Sequence, residues 1–310
     1  MSQTETGVDH ATPQPTDQDG VRGLRAPILL IGFDGMLGTA FRRLFTGAGV
    51  AFEAPTIEQL DITDVASVDD GVASRFRTVI NCAAWTDVDG AEADPDGARR
   101  LNAEAPGHLA QACARTGATL VHFSTDYVFD GQADTPYRID HPIAPRTEYG
   151  STKAAGEQAI QAARCDHLII RTSWLYAPWG RNFVLTMLRL LAERPELKVV
   201  NDQRGRPTSA EHLAHSTARL LSAGARSTFH VCDAGECTWF EFAAEIGRLA
   251  NLPAGVSPCT TAEYPRPAPR PAYSVLDISR TEELIGPAGH WRDNLARVIQ
   301  QTAPAANTAV

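Results

Sequence analysis

The stretch PILLIGFDGMLG, residues 27–38, decides the fold. Residues 27–32 are an apolar run without polar alternation, the pattern of a parallel strand covered on both faces. Gly32, Gly35 and Gly38 follow in a G-x-x-G-x-x-G spacing, and residues 36–47 have the pattern of a helix. A strand that passes through a glycine turn into a helix can bring its backbone close to a pyrophosphate. The unpaired amides of the first helical turn then face the negative charge. Glycine is common in strand-to-helix turns, so it is the strand before and the helix after that carry the reading. No G-x-x-x-x-G-K-[ST] occurs, which disfavours a nucleoside triphosphatase loop.

Outward from this turn the alternation continues. Strand-like runs lie at 49–53, 78–84, 119–125 and 167–173, with helical segments near 94–117 and 147–164. Strands alternating with helices predict an α/β fold, a Rossmann-type doubly wound parallel sheet with right-handed crossovers. In the C-terminal half, strands fit 198–201 and 228–232, and helices fit 210–222 and 239–249. Residues 253–271 are rich in proline. They read equally as a surface linker or as a rigid loop bordering a substrate cleft.

The chain has 310 residues, a formal net charge of −9, 43% hydrophobic and 21% charged residues. This is ordinary globular composition with room for one large or two modest domains. An acidic chain has no general attraction to nucleic acid or to anionic membranes, so neither is expected as a partner. No apolar run reaches the length of a membrane span. The six cysteines show no CxxC pair and no zinc spacing, which suits reduced thiols in a cytoplasmic protein. Residues 1–25 are expected as a disordered leader and 301–310 as a loose tail.

Two further segments carry chemistry. The strand at 119–125 ends in Ser124-Thr125-Asp126, where ligands gather in open α/β sheets, and a hydroxyl there can bond a carbonyl. Tyr149 and Lys153 stand at i and i+4, on one face of a helix. A nearby ammonium favours the phenolate and would lower the Tyr149 pKa, making the phenol a usable acid. Y-x-x-x-K alone is a frequent accident, and it gains weight from the glycine turn and the strand-end hydroxyl. The expected chemistry is hydride transfer between a nicotinamide and a carbonyl. Tyr149 would donate the proton, Lys153 would tune Tyr149 and hold the nicotinamide ribose, and Thr125 would donate to the carbonyl.

Taken together, GFDGMLG at 32–38, LDITD at 60–64, NCAAWTDVDGAE at 81–92, FSTDYVFDG at 123–131, YGSTK at 149–153 and DQRGRPT at 202–208 resemble the extended short-chain dehydrogenase/reductases. More narrowly they resemble the dTDP-4-dehydrorhamnose reductase family. The likeness runs from about residue 28 to about residue 296. It implies a Rossmann domain over 26–170, completed by parts of 205–235. It also implies a smaller, discontinuous C-terminal substrate domain drawn mainly from 171–300. The implied reaction is reduction of the 4-keto group of dTDP-4-dehydro-β-L-rhamnose with NADPH or NADH, with Thr125, Tyr149 and Lys153 catalytic. By the same resemblance Gly32, Gly35, Met36, Leu37, Gly38, Asp61, Ile62, Ala83, Ala84, Thr86 and Asn102 would line the cofactor, with Tyr149 and Lys153. Thr125, Asp126, Trp174, Asn182, Arg206 and Ser274 would meet the dTDP-4-keto-6-deoxyhexose. Arg206 or Arg270 could neutralise its diphosphate. A homodimer is left open.

Some members of that family are associated with Mg²⁺, but no carboxylate cluster stands out here to hold the ion. Asp61 also reads as a helix cap or turn residue, and no acid or arginine after the second strand chooses between NADH and NADPH. Trp85, Phe33 and Asp34 depart from the common pattern and leave the sugar open. One alternative is a 4-ketoreductase of antibiotic-sugar biosynthesis, as for dihydrostreptose. Another is a non-catalytic subunit like the regulatory one of methionine adenosyltransferase, against which the intact Thr125, Tyr149 and Lys153 set argues.

Overall fold

A computed structural model of the chain describes residues 20, 21 and 23–302. At its centre β1 (Ile28–Ile31), β2 (Phe52–Glu53), β3 (Thr78–Asn81), β4 (Thr119–Thr125), β5 (His167–Thr172) and the strand Ser227–His230 form one sheet. The order is Ser227–His230, β5, β4, β3, β1, β2, and all neighbours are parallel. The chain leaves β1 for the β2 edge and returns to pair β3 on the other side of β1. Such a reversal opens a crevice at the C-terminal strand ends.

The apolar run is covered on both faces, as expected. Ile28 and Leu30 pack with helix Met36–Ala48 (α1) and helix Ala210–Ser222 on one side. Leu29 and Ile31 pack with Val68, Leu109 and Ile160 on the other. Each such side chain stabilises the fold by roughly 1.5–3 kcal/mol through burial. A separate core joins helices Phe183–Glu193, Trp239–Leu249 and Trp291–Thr302 through Leu191, Phe242, Ile246, Trp291 and Leu295. It also covers the parallel strand pair Glu196–Val200 and Gly255–Cys259.

Several boundaries differ from the expected ones for local reasons. The strand expected at 49–53 shrinks to β2 because Gly49, at φ 67°, closes α1 and Val50 N donates to Phe45 O. The strand expected at 78–84 stops at Asn81, whose side chain accepts from Ala83 N and turns the chain. The helix expected over 94–117 is three pieces, Pro95–Arg99, a π turn Arg100–Glu104, and Ala105–Thr116. Pro106 has no amide to give Asn102 O, so the regular ladder is interrupted there. The first part of the proline-rich 253–271 is a strand, and the second is held by Arg266 and Arg270 on Asp89. It is a fixed loop rather than a loose linker.

Most of the leader expected over 1–25 lies outside the described residues. Its end is structured, since Val21 is buried in the first core and Arg25 O accepts from Thr78 Oγ1. At the other terminus Gln301 and Thr302 finish the last helix, and the remainder of the expected tail lies outside the described residues.

Asp233 joins the two cores. It is fully buried and accepts from Tyr176 Oη at 3.0 Å and Ser209 N at 3.2 Å. Burial pushes its pKa up to about 7. A carboxyl raised in the folded state holds its proton longer there than in the unfolded chain. Stability is therefore greatest below the unfolded value near ~3.9 and is lost as pH rises towards the folded one. Thermal unfolding should show the wild type losing several degrees relative to Asp233→Asn between pH 5 and pH 8. A constant difference across that range would contradict this reading.

Candidate active site

The first turn of α1 carries no side-chain cap, and its N-cap residue is Gly35. Gly32 has φ 72°, and a Cβ on it would lie 2.7 Å from Ala83 N. A Cβ on Gly38 would lie 2.0 Å from Gly32 O. Glycine is therefore required at both places by geometry. The turn, the Met36 and Leu37 amides and the loop after β3 form a backbone-walled cradle, which fits a pyrophosphate. That loop holds Ala83, Ala84 and the exposed Thr86.

Asn102 acts on this loop rather than offering a free amide to it. Its Oδ1 accepts from Trp85 N at 2.9 Å, and its Nδ2 donates to Trp85 O at 3.0 Å and Thr152 Oγ1 at 3.3 Å. Asn102 sits in the π turn, and Gly156 packs against its carbonyl, where a Cβ would come within 2.2 Å. The helix Glu148–Ala162 is thereby held against the loop. At its start Gly150 fits under Tyr127 O, and Thr147 caps it by accepting from Gly150 N.

Tyr149 and Lys153 project from that helix towards the end of β4. Lys153 is buried, and its Nζ donates to Phe123 O at 2.6 Å. Burial pushes its pKa down to about 8, with Glu157 pulling weakly the other way. Tyr149 packs edge-on to Tyr127 at 5.5 Å. Its pKa is pushed up to about 12, chiefly by burial and further by Asp126, against a lowering hydrogen bond with Thr125. This is opposite to the acidification expected from Lys153. Burial outweighs the lysine because desolvation favours the neutral phenol as well as the neutral amine.

Thr125 also differs from its expected role as a free donor. Its hydroxyl donates to Asp126 Oδ1 at 2.9 Å and accepts from Tyr127 N at 3.2 Å. Its single proton is engaged while Asp126 is ionised. Burial raises the Asp126 pKa to about 6, opposed first by Ser274 beside it. Ser274 Oγ and Asp126 Oδ2 nevertheless both lack a hydrogen-bond partner in the structure, as do Ser124 Oγ, Thr172 Oγ1 and Arg206 Nε. Unsatisfied polar atoms in a buried place are costly unless a ligand meets them.

The remaining candidates separate. Trp174 has φ 48° and stacks on Trp239 at 3.6 Å, over Gly205, which has no Cβ to obstruct the ring. Trp239 had no signal in the sequence beyond its place at a helix start. Asn182 is fully engaged instead of open to a sugar: Oδ1 caps Leu185 N, and Nδ2 donates to Ala177 O and Trp179 O. It shapes the loop whose Trp179 Nε1 donates to Met36 O at 2.9 Å. Arg270 is held by Asp89 at 3.0 Å, which leaves Arg206 as the arginine with an unpartnered nitrogen. Asp61 closes a local turn on Thr63, while Asp64 caps the following helix. The Ile62 side chain lies in the core, so only its backbone can face the crevice.

A cavity of about 180 Å³ lies beside Tyr127, between Arg146 and the 269–272 loop. Among the described residues no group of three or more His, Cys, Asp or Glu could hold a metal ion. No described helix is long and apolar enough to cross a membrane.

Comparison with known proteins adds four findings. Residues 26–303 match the family model described as the RmlD substrate binding domain. A dTDP-4-dehydrorhamnose reductase of Streptomyces griseus is 46% identical over 273 residues, 85% of this chain and 90% of that protein. Among solved structures, a Clostridium acetobutylicum dTDP-4-dehydrorhamnose reductase has a TM-score of 0.85 at 40% identity, covering 88% of this chain and 98% of its own. The Bacillus anthracis reductase in complex with NADP also has a TM-score of 0.85, at 37% identity over 89% and 99%.

Proposed function

Because the chain belongs to the dTDP-4-dehydrorhamnose reductase family, we propose that it reduces the 4-keto group of dTDP-4-dehydro-β-L-rhamnose to give dTDP-L-rhamnose, using NADPH or NADH in the cytoplasm. One observation carries the reading. Unpartnered buried polar atoms of Ser124, Asp126, Thr172, Arg206 and Ser274 gather around Thr125, Tyr149 and Lys153, beside an uncapped glycine turn.

The turn at Gly32–Gly38 and the Ala83–Thr86 loop would hold the dinucleotide. Bound there, the reduced nicotinamide supplies the hydride. The chain's own residues do the rest. Tyr149, with a pKa pushed to about 12, keeps its proton at neutral pH and can give it to the substrate oxygen as negative charge develops. Asp126, pushed up to about 6, releases the Thr125 hydroxyl when it protonates, so Thr125 can then donate to the same oxygen. Lys153 is held by Phe123 O and faces His122 Nε2, which leaves one N–H group for a ribose hydroxyl. Trp174 on Trp239 offers a flat apolar wall to the sugar, and Arg206 a donor to the diphosphate. The residues after β5 supply this side of the site, consistent with a C-terminal substrate domain.

The test is NADPH consumption with dTDP-4-dehydro-β-L-rhamnose, followed by NMR of the product. The expected product is dTDP-L-rhamnose. Turnover that yields the other configuration at C4 would keep this substrate but replace the product by the C4 epimer of dTDP-L-rhamnose. Absence of turnover with any dTDP-4-keto-6-deoxyhexose would leave only a binding role.

A further inference from the structure

Behind Lys153 lies a buried polar chain that the proposed reaction leaves unused. Asn81 and His122 are register partners on β3 and β4, and both are buried. Asn81 Oδ1 accepts from Ala83 N at 3.1 Å. A backbone amide only donates, so this contact turns the carboxamide oxygen to Ala83 and its NH₂ to His122. Asn81 Nδ2 and His122 Nδ1 are 3.3 Å apart, so Nδ1 must accept. A neutral imidazole that accepts at Nδ1 carries its proton on Nε2. That nitrogen is 3.2 Å from Lys153 Nζ. Burial, and then Lys153, hold the imidazole well below its ordinary pKa, so it stays neutral.

An ammonium has no lone pair with which to accept the Nε2 proton, whereas an amine has one. The arrangement seen therefore matches the amine form of Lys153, which also donates to Phe123 O. The ammonium form needs Nε2 as an acceptor. The ring proton then belongs on Nδ1, the Asn81 oxygen must turn towards it, and the Ala83 N–H is set free. Gly32 lies directly against that amide. The charge acting on Lys153 from its own helix is Glu157, and both Glu157 oxygens are held by Arg171 of β5 at 2.9 and 2.7 Å. Asp126, at the strand end, acts on Tyr149.

We propose that His122 is a positioning residue whose tautomer follows the proton on Lys153, and that Asn81 passes this state to the Ala83 amide beside the glycine turn. Its functional consequence rests on the reductase reading; the relay itself does not.

The decisive measurement is NMR of the full chain labelled with ¹⁵N in its histidine rings, without cofactor or substrate, from pH 6 to 10. One ring, identified by its loss in His122→Gln, should change from the Nε2–H to the Nδ1–H form as pH falls through about 8. It should stay neutral throughout. In Lys153→Met the same ring should keep the Nε2–H form at every pH. A ring that holds one tautomer in the unaltered chain overturns the proposal, as does one that becomes doubly protonated or still switches in Lys153→Met.

Asn81→Asp gives a second readout. A carboxylate can accept from Ala83 N and Nδ1–H together, which holds Lys153 as the ammonium. The alkaline limb of NADPH binding, followed by tryptophan fluorescence, should move up by about one pH unit. An unmoved limb in the folded variant counts against the relay. A tautomer switch without turnover would keep the relay and sink the reductase reading, and turnover without the switch would do the reverse.

Discussion

Tyr149→Phe is expected to lower kcat by ~10²–10⁴-fold, the usual contribution of a positioned general acid, while NADPH affinity changes by less than about twofold. The ring keeps its edge contact with Tyr127 at 5.5 Å, so the helix start should not move. What is lost is one proton, held on the phenol because burial lifts its pKa to about 12. Steady-state kinetics with a fluorescence titration of the cofactor would check both halves. A variant within threefold of wild-type turnover would remove Tyr149 from the mechanism and leave the role of acid to a neighbour, with Asp126, whose pKa burial raises to about 6, the first candidate.

Gly38→Ala should have the largest effect on cofactor binding. The added Cβ would fall 2.0 Å from Gly32 O and 2.6 Å from Phe33 Cα. Both are backbone atoms, and no rotamer change can clear them. Gly32 cannot retreat either, because it already lies against Ala83. The clash has to be relieved by moving α1 away from the turn, which costs about 1–3 kcal/mol in overpacking and displaces the amides meant for the pyrophosphate. NADPH affinity should fall at least about tenfold, with a lower Tm. Gly47→Ala is the control, since a Cβ there meets nothing within 4 Å. It lies in the same helix and should be neutral or stabilising by up to about 1 kcal/mol. Equal losses in the two variants would mean that the turn has no special part in binding.

The parallel sheet was legible in the sequence because its cause is local. A run such as Ile28–Ile31 needs cover on both faces wherever it lies, and a glycine turn followed by an amphipathic helix needs no partner to be recognised. The i, i+4 spacing of Tyr149 and Lys153 was equally readable, since a helix alone puts both on one face. Local pattern could not say what each polar side chain would meet. Asn102 and Asn182 look like free amides in the sequence. They prove to be fully engaged: Asn102 on Trp85 and Thr152, by contacts made only once separate elements are packed together, and Asn182 within its own loop, where it holds Ala177 and Trp179 and caps the helix that follows.

The sheet order made the remaining decisions. It sets β3 beside β4 and so brings Asn81 to His122, and it returns Ser227–His230 to the edge next to β5. Packing also reversed the expected sign at Tyr149: spacing foresaw a phenol acidified by lysine, while burial of both groups raised one pKa and lowered the other. By itself the sequence determined the sheet, the glycine turn and the Tyr149–Lys153 helix face, since strand burial and helix periodicity act over a few neighbouring residues. Only the tertiary structure decided which protons those residues hold, because desolvation and hydrogen-bond partners come from residues distant in the chain.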